Sequence, residues 1–238
     1  KIFNNLIKIM KFSILIPVYN EERFILEVLK KVNLQKKNFD LQIIVINDGS
    51  TDKTKDILLN NRELYNHLIN NEKNEGKGKS IINSLDSVEG DYILIQDADL
   101  EYNPDEYSKL IEPITKYNAD VVYGSRFKGS EPKRIIYFTN RVANFILSLV
   151  ASILTNINFS DIETGYKFIR SELLRSLSLK EKSFAIEVEI TMKLSKKMNK
   201  FYEVGISYNG RTYDEGKKIK LKDGIEALYK IFYYKFFK

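Results

Sequence analysis

Residues 91–99 read Asp-Tyr-Ile-Leu-Ile-Gln-Asp-Ala-Asp, a short apolar run ending on two carboxylates that flank one alanine. Its length and its aromatic and β-branched content predict a buried strand over 91–96. Toward the N-terminus, FSILIPV at 12–18 and LQIIVI at 41–46 have the same character, and a weaker strand is expected over 65–69. Helical patterns lie between them. Phe24, Ile25, Val28, Leu29 and Val32 recur at helical spacing within 21–32, and Ser50 or Thr51 is placed to cap a helix through Leu59. Gly76 and Gly78 precede a helix through Val88. Toward the C-terminus, Pro104 suits the first turn of a helix through Tyr117, and 120–123 reads as another strand. This alternation predicts an α/β fold with a mostly parallel sheet and helices on both faces.

Ligands of such sheets bind beyond the carboxyl ends of the strands. Three polar loops fall there: Tyr19-Asn20-Glu21, Asp48 in Asn47-Asp48-Gly49, and Asp97-Ala98-Asp99. Turn chemistry alone explains Asp48 equally well. Strand alternation, if it persists, points Asp97 and Asp99 the same way. Two like charges that close repel, and a hard divalent cation is the usual remedy. Mg²⁺ or Mn²⁺ suits an all-oxygen ligand set and bridges diphosphates, with Glu101 as a further ligand. Taken in isolation, the tripeptide reads as readily as a solvated acidic turn.

The pieces ILIPVYNEE at 14–22, VINDGSTD at 45–52, NEGKGKS at 74–80, DADLEYNPDE at 97–106 and GSRF at 124–127 occur together in one order. ETGYKFIR at 163–170, FAIEVEIT at 184–191 and YNGRTYDEGKKI at 208–219 follow. In these motifs the chain resembles the family 2 inverting glycosyltransferases of GT-A fold, more narrowly the dolichyl-phosphate mannose synthase type that uses polyprenyl phosphates. The resemblance implies a nucleoside pocket lined by Pro17, Tyr19 and Glu21, with Ile46 and Asp48 on base or ribose. It places Asp97 and Ala98 against the nucleotide and Asp99 with Glu101 on the metal. Arg126 approaches the donor or acceptor phosphate, and Arg211 and Lys217 close over the phosphates. Two positions depart from the commonest pattern: Asn47 stands where Asp is frequent, and Glu101 where Gln is frequent.

The implied reaction moves a hexose from a GDP-mannose or UDP-glucose type donor to a polyprenyl phosphate. Such an acceptor is already ionised near neutral pH and needs no general base. A saccharide hydroxyl would need one, with Asp161, Glu163, Glu187 and Glu189 as candidates. A non-catalytic nucleotide-sugar-binding protein is the third alternative, disfavoured by the intact Asp-Ala-Asp.

Composition sets outer bounds. The 238 residues are 43% hydrophobic and 29% charged, an ordinary globular balance sized for one core. The chain has no Cys, which excludes disulfides and thiolate metal sites. Its net charge of +6 suits polyanionic partners or plain solubility. The Gly-Lys-Ser near position 78 lacks the upstream Gly of a P-loop, because Lys73 stands there. His67, the one histidine, reads as surface or structural, and no motif for nucleic acid is present.

A glycosyltransferase domain is expected over 1–220, with a nucleotide-sugar half about 10–128 and an acceptor half about 129–220. Residues 221–238 then form an amphipathic helix whose aromatics alternate with Lys, suited to a membrane interface. Thr139–Thr155 is a second apolar helix. No continuous apolar run reaches the roughly 18–20 residues of a span, since Asn144, Ser148 and Ser152 interrupt Ala143–Leu154. A peripheral protein on the cytoplasmic face is the resulting expectation.

Overall fold

The computed structural model describes residues 10–135, 137–197, 199–216 and 221–238. In chain order the elements are β1 (Lys11–Val18), α1 (Ile25–Leu34), β2 (Asp40–Asn47), α2 (Thr54–Leu59), β3 (His67–Asn70), α3 (Lys77–Ser84) and β4 (Tyr92–Ile95). There follow α4 (Tyr107–Tyr117), β5 (Val121–Ser125), α5 (Phe138–Thr155), β6 (Lys167–Arg170), α6 (Ser171–Arg175), α7 (Ile186–Leu194), β7 (Phe201–Gly205) and α8 (Leu221–Phe236).

The strands form one seven-stranded sheet in the order β3-β2-β1-β4-β6-β5-β7. β1 pairs in parallel with β2 and β4, and β2 with β3. Pleat alternation divides the core. Phe12, Ile14, Ile16 and Val18 pack against α1 and α4, whereas Leu15, Ile44 and Ile46 pack with residues of α3, α5, α7 and α8. Both faces are covered, which is why the central strands read as continuous apolar runs rather than alternating ones.

β6 runs antiparallel between β4 and β5. The βαβ rhythm gave no sign of this, because KFIR resembles any short buried strand. The reversal has a functional consequence. Residues 161–165 enter β6 beside the carboxyl end of β4, where Asp97-Ala98-Asp99 leaves the sheet. There a Cβ at Gly165 would collide with Asp97 Oδ2, so the close approach requires glycine.

The apolar helices revise the sequence expectation. α5 is 18 residues, about 27 Å long, with mean hydropathy 1.3, long and apolar enough to cross a membrane by length and composition. The interrupting Asn144 and Ser148 are buried against the domain with Leu147 and Ala151. The outward face keeps Phe138, Val142, Phe145, Ile146, Leu149 and Ile153. α8 packs on α5 and α7 through Ala227, Ile231 and Tyr234, while Ile225, Tyr229, Phe232 and Phe236 face out.

Candidate active site

Each polar loop is held by contacts to its neighbours. Asn20 has φ +52°, and its backbone N–H donates to Ser50 Oγ at 3.1 Å. Thr51 N–H donates to Asn20 Oδ1 at 2.8 Å, and Glu21 N–H to Thr54 Oγ1 at 3.0 Å. Ser50 and Thr51 therefore fasten the first loop instead of capping α2. The capping contact comes from Asp52, whose Oδ1 accepts from Thr54 N–H at 2.9 Å.

Asp48 is buried and organises the next loop. It accepts from Asn71 Nδ2 (2.7 Å), Glu75 N–H (3.0 Å) and Gly76 N–H (2.8 Å). Gly76 has φ +98°, which favours glycine at this turn. The strand before Asp97 ends at Ile95, so persistent alternation does not aim the two Asp side chains. A tight turn does, with Leu100 at φ +59°. That conformation costs a non-glycine residue about 1 kcal/mol or more.

Arg211 sits among the resulting carboxylates. Its guanidinium lies 2.6 Å from Asp99 Oδ2 and 3.1 Å from Glu21 Oε2. Its backbone N–H donates to Glu101 Oε1 at 2.9 Å, and Tyr208 OH donates to Glu101 Oε2 at 2.7 Å. Glu101 thus uses both oxygens, which a Gln could not do as an acceptor. One guanidinium faces three carboxylates, and the imbalance appears in Asp99. Burial first, then Glu101 and Asp97, push its pKa up to about 7.

A second chain of charges continues inward. Lys77 Nζ pairs with Asp97 Oδ1 (2.6 Å) and Glu187 Oε1 (2.9 Å), and Lys167 Nζ with Glu187 Oε2 (2.7 Å). Burial alone would lower Lys77, but Asp97 and Glu187 outweigh it and hold the ammonium well above its ordinary value. Burial alone would likewise raise Glu187, but the two lysines keep it below the usual carboxylate range. Lys77, Asp97 and Glu187 line one cleft with the Arg211 cluster, about 630 Å³ in volume, and Lys167 lies fully buried behind it.

The sequence profile described as Glycosyl transferase family 2 matches residues 13–178. The chain belongs to that family. Among the relatives of this family 2 transferase is the dolichol-phosphate mannosyltransferase of Pyrococcus furiosus, 28% identical over 211 residues. That match covers 87% of this chain and 59% of the relative, so the chain spans less than two thirds of that protein. The UDP-N-acetylglucosamine–dolichyl-phosphate N-acetylglucosaminyltransferase of Methanococcus voltae is 28% identical over 240 residues, covering 92% of this chain and 93% of that one. The fold is shared with glucosyl-3-phosphoglycerate synthase of Mycobacterium tuberculosis, in a crystal structure with Mn²⁺, UDP and glucosyl-3-phosphoglycerate. The TM-score is 0.76 at 18% identity, covering 99% of this chain and 84% of that one. The expected GT-A architecture is the one this transferase has.

In the transferase, Pro17, Tyr19, Glu21, Asp48, Asp97, Ala98, Asp99, Glu101, Arg126 and Arg211 all line the cleft. Ile46 does not. Its side chain points into the core and is fully buried there, which leaves only its backbone for a ligand. Lys217 lies outside the described residues. Arg126 is clamped by Asp161, with Nε and Nη2 each 2.7 Å from a carboxylate oxygen, which removes Asp161 from the candidate bases. Glu189 is likewise committed, to the backbone N–H groups of Lys180 and Glu181 and to Lys193.

Sequence reading missed several cleft residues. Asn140 and Asn144, one turn apart on the inner face of α5, each have a buried Nδ2 without a hydrogen-bond partner, as does Ser80 Oγ. Glu163, already a candidate base in the sequence, has a buried, unpartnered Oε1, and burial first raises its pKa to about 7. The polar pair at i, i+4 inside an apolar helix was the available signal. Of the two, only Asn144 stood out, as an interruption of an apolar run.

A divalent ion fits this donor set. Asp99 and Glu101 offer hard oxygens in a surplus of negative charge that the single Arg211 guanidinium offsets only in part. Among the described residues no three carboxylate or imidazole side chains form a ready-made cage.

Proposed function

We propose that the chain transfers a hexose, with inversion, from a nucleotide sugar of the GDP-mannose or UDP-glucose type to a polyprenyl phosphate. One observation carries the reading. A single cleft is lined both by the Asp97, Asp99 and Glu101 carboxylates and by unsatisfied Asn140 and Asn144 amide donors, the latter set on a helix whose opposite face is exposed and apolar. Buried donors without partners cost about 1–3 kcal/mol each, and phosphate oxygens would satisfy them. A phosphate carried on a long apolar chain suits both faces of α5. The similarity to relatives named for dolichyl-phosphate transfer supports the same acceptor.

In this reading Tyr19, Glu21 and Pro17 hold the nucleoside. Asp48 shapes the Glu75–Gly76 turn that backs it, while Asp97 and Ala98 lie along the nucleotide. Asp99 and Glu101 hold Mg²⁺ or Mn²⁺, which when bound neutralises the diphosphate leaving group. Arg126, Asn140 and Asn144 orient the acceptor phosphate. An oxygen of that phosphate forms the bond to the anomeric carbon on the face opposite the diphosphate, and the old carbon–oxygen bond breaks. Arg211, with Lys217 six residues on in the sequence, takes up the charge that develops on the leaving group. No proton must be removed from an ionised phosphate.

In the same reading the exposed apolar faces of α5 and α8 serve as a membrane-facing surface, with 221–238 as an interfacial helix and the enzyme peripheral at the cytoplasmic side. A saccharide hydroxyl acceptor is the second reading, favoured by one observation: Glu163 is an unpaired carboxyl whose pKa suits a base near neutrality. A thermal-shift screen of UDP- and GDP-sugars, with and without Mg²⁺ or Mn²⁺, tests the donor half. Stabilisation by at least one pair is expected, and none in any combination would overturn the reading.

A further inference from the structure

Of the carboxylates lining the cleft, Glu163 is the one that makes neither a hydrogen bond nor an ion pair among the described residues. Its position is nevertheless fixed. Thr164 Oγ1 donates to Gly124 C=O at 2.6 Å, and Gly165 N–H donates to Tyr102 OH at 2.9 Å. Gly165 in turn packs on Asp97. The charged groups facing Glu163 are Lys167 of β6, Glu187 of α7, and Arg126 and Asp161 of the loops beside β5 and β6. Both cations are already engaged, Lys167 by Glu187 and the carbonyls of Ile162 and Thr164, Arg126 by Asp161. The fold therefore supplies Glu163 with no donor.

A buried acceptor without a donor is costly, and such groups in active sites take their partner from the ligand. The chemistry of the ligands narrows the choice. A diphosphate and an ionised prenyl phosphate carry acceptors only. The nucleoside lies toward Pro17 and Asp48, in other loops. The transferred sugar brings several hydroxyl donors. A second unsatisfied group, Ser80 Oγ of α3, lines the same cleft.

Resting on the nucleotide-sugar reading above, we propose that Glu163 is a specificity-determining residue whose carboxylate receives hydroxyl hydrogens of the sugar being transferred. Two hydroxyls on neighbouring ring carbons suit a carboxylate, so the preferred sugars carry a free vicinal pair at this wall. Hydroxyl donation favours the ionised form. Because Glu163 titrates near 7 without ligand, sugar binding expels a proton that binding of the bare diphosphate retains.

Calorimetry tests this with full-length protein and Mg²⁺ at pH 7, in two buffers of different ionisation enthalpy. The probes are UDP-glucose, UDP-N-acetylglucosamine and GDP-mannose against UDP and GDP. The tightest-binding sugar donor should release about half a proton more than its diphosphate. Glu163→Gln should abolish that release. Glu163→Ala should lower donor affinity about tenfold relative to the diphosphate, with diphosphate affinity unchanged. Donor and diphosphate affinities falling together in both variants would overturn the proposal. So would an unchanged affinity ratio with collapsed kcat, which would make Glu163 a base. If wild-type protein binds the diphosphates but no sugar donor, Glu163 has no sugar to receive and the proposal falls. If it binds none of the five probes, the donor reading itself fails.

Discussion

Arg211 reaches across 112 positions of sequence to place Nη2 2.6 Å from Asp99 Oδ2, while its backbone N–H is held by Glu101. The protein's own cation thus stands among the carboxylates proposed to receive a divalent one. Arg211 balances the cluster in the absence of ligand and, in the proposed cycle, turns to the phosphates when metal and donor arrive.

Removing Arg211 should separate these two duties. In Arg211→Ala the carboxylates lose their counter-ion, and Mn²⁺ no longer competes with a guanidinium. Mn²⁺ affinity without nucleotide is expected to rise about threefold to tenfold, while turnover falls about a hundredfold through loss of leaving-group stabilisation. Calorimetric Mn²⁺ titration and steady-state kinetics check both. Unchanged Mn²⁺ affinity would mean that Arg211 and the metal occupy different places.

Asp99 carries a pH signature of its own. Its raised pKa of about 7 means that its contribution to stability is fully present below about pH 4 and is lost as pH rises through 7. Asp99→Asn cannot ionise and should escape that loss. Without metal, the variant is expected to match wild type near pH 4 and to exceed it by about 1–3 kcal/mol at pH 8. Turnover and the metal dependence of donor binding should both vanish. Urea unfolding across that pH range, with kinetics, decides it. A variant less stable than wild type at pH 8 would show that the Arg211 pair outweighs the repulsion.

Much of this arrangement was legible in the sequence. The runs at 12–18, 41–46 and 91–96 became β1, β2 and β4 because fully buried parallel strands need no alternation, and their carboxyl ends carry the cleft. The antiparallel β6 was hidden because strand direction is set by tertiary pairing, which no local pattern records. The pleat turns the Ile46 side chain into the core beside a loop that lines the cleft, which the apolar run alone does not show. Asn144 stood out only as an interruption of an apolar run and Asn140 not at all, and only the folded chain shows that both line the cleft. Glu163 stood in the sequence only as one of four candidate bases, and its lack of a partner shows only in the folded chain.

The exposed apolar faces of α5 and α8 yield a separable expectation. Phe232, Phe236 and Phe237 are 43%, 63% and 74% exposed. Replacing all three with Ser should leave the unfolding midpoint within a few degrees. It should weaken binding to anionic vesicles and lower turnover on long-chain prenyl phosphate, sparing a short soluble analogue. Wild-type vesicle binding should weaken as salt rises, because the Lys contribution is screened. Equal losses on both acceptors would instead assign the aromatics to the fold.

The acceptor decides the central claim, and one measurement addresses it: transfer of labelled sugar from the best-binding donor to a short prenyl phosphate, to the same prenol without phosphate, and to a panel of saccharides. Wild type is compared with Asn140→Ala/Asn144→Ala. Product is expected with the prenyl phosphate alone, and the double variant should raise its KM about tenfold or more, with donor affinity unchanged. Transfer to a saccharide, with none to prenyl phosphate and no effect of the double variant, would contradict the phosphate-acceptor assignment.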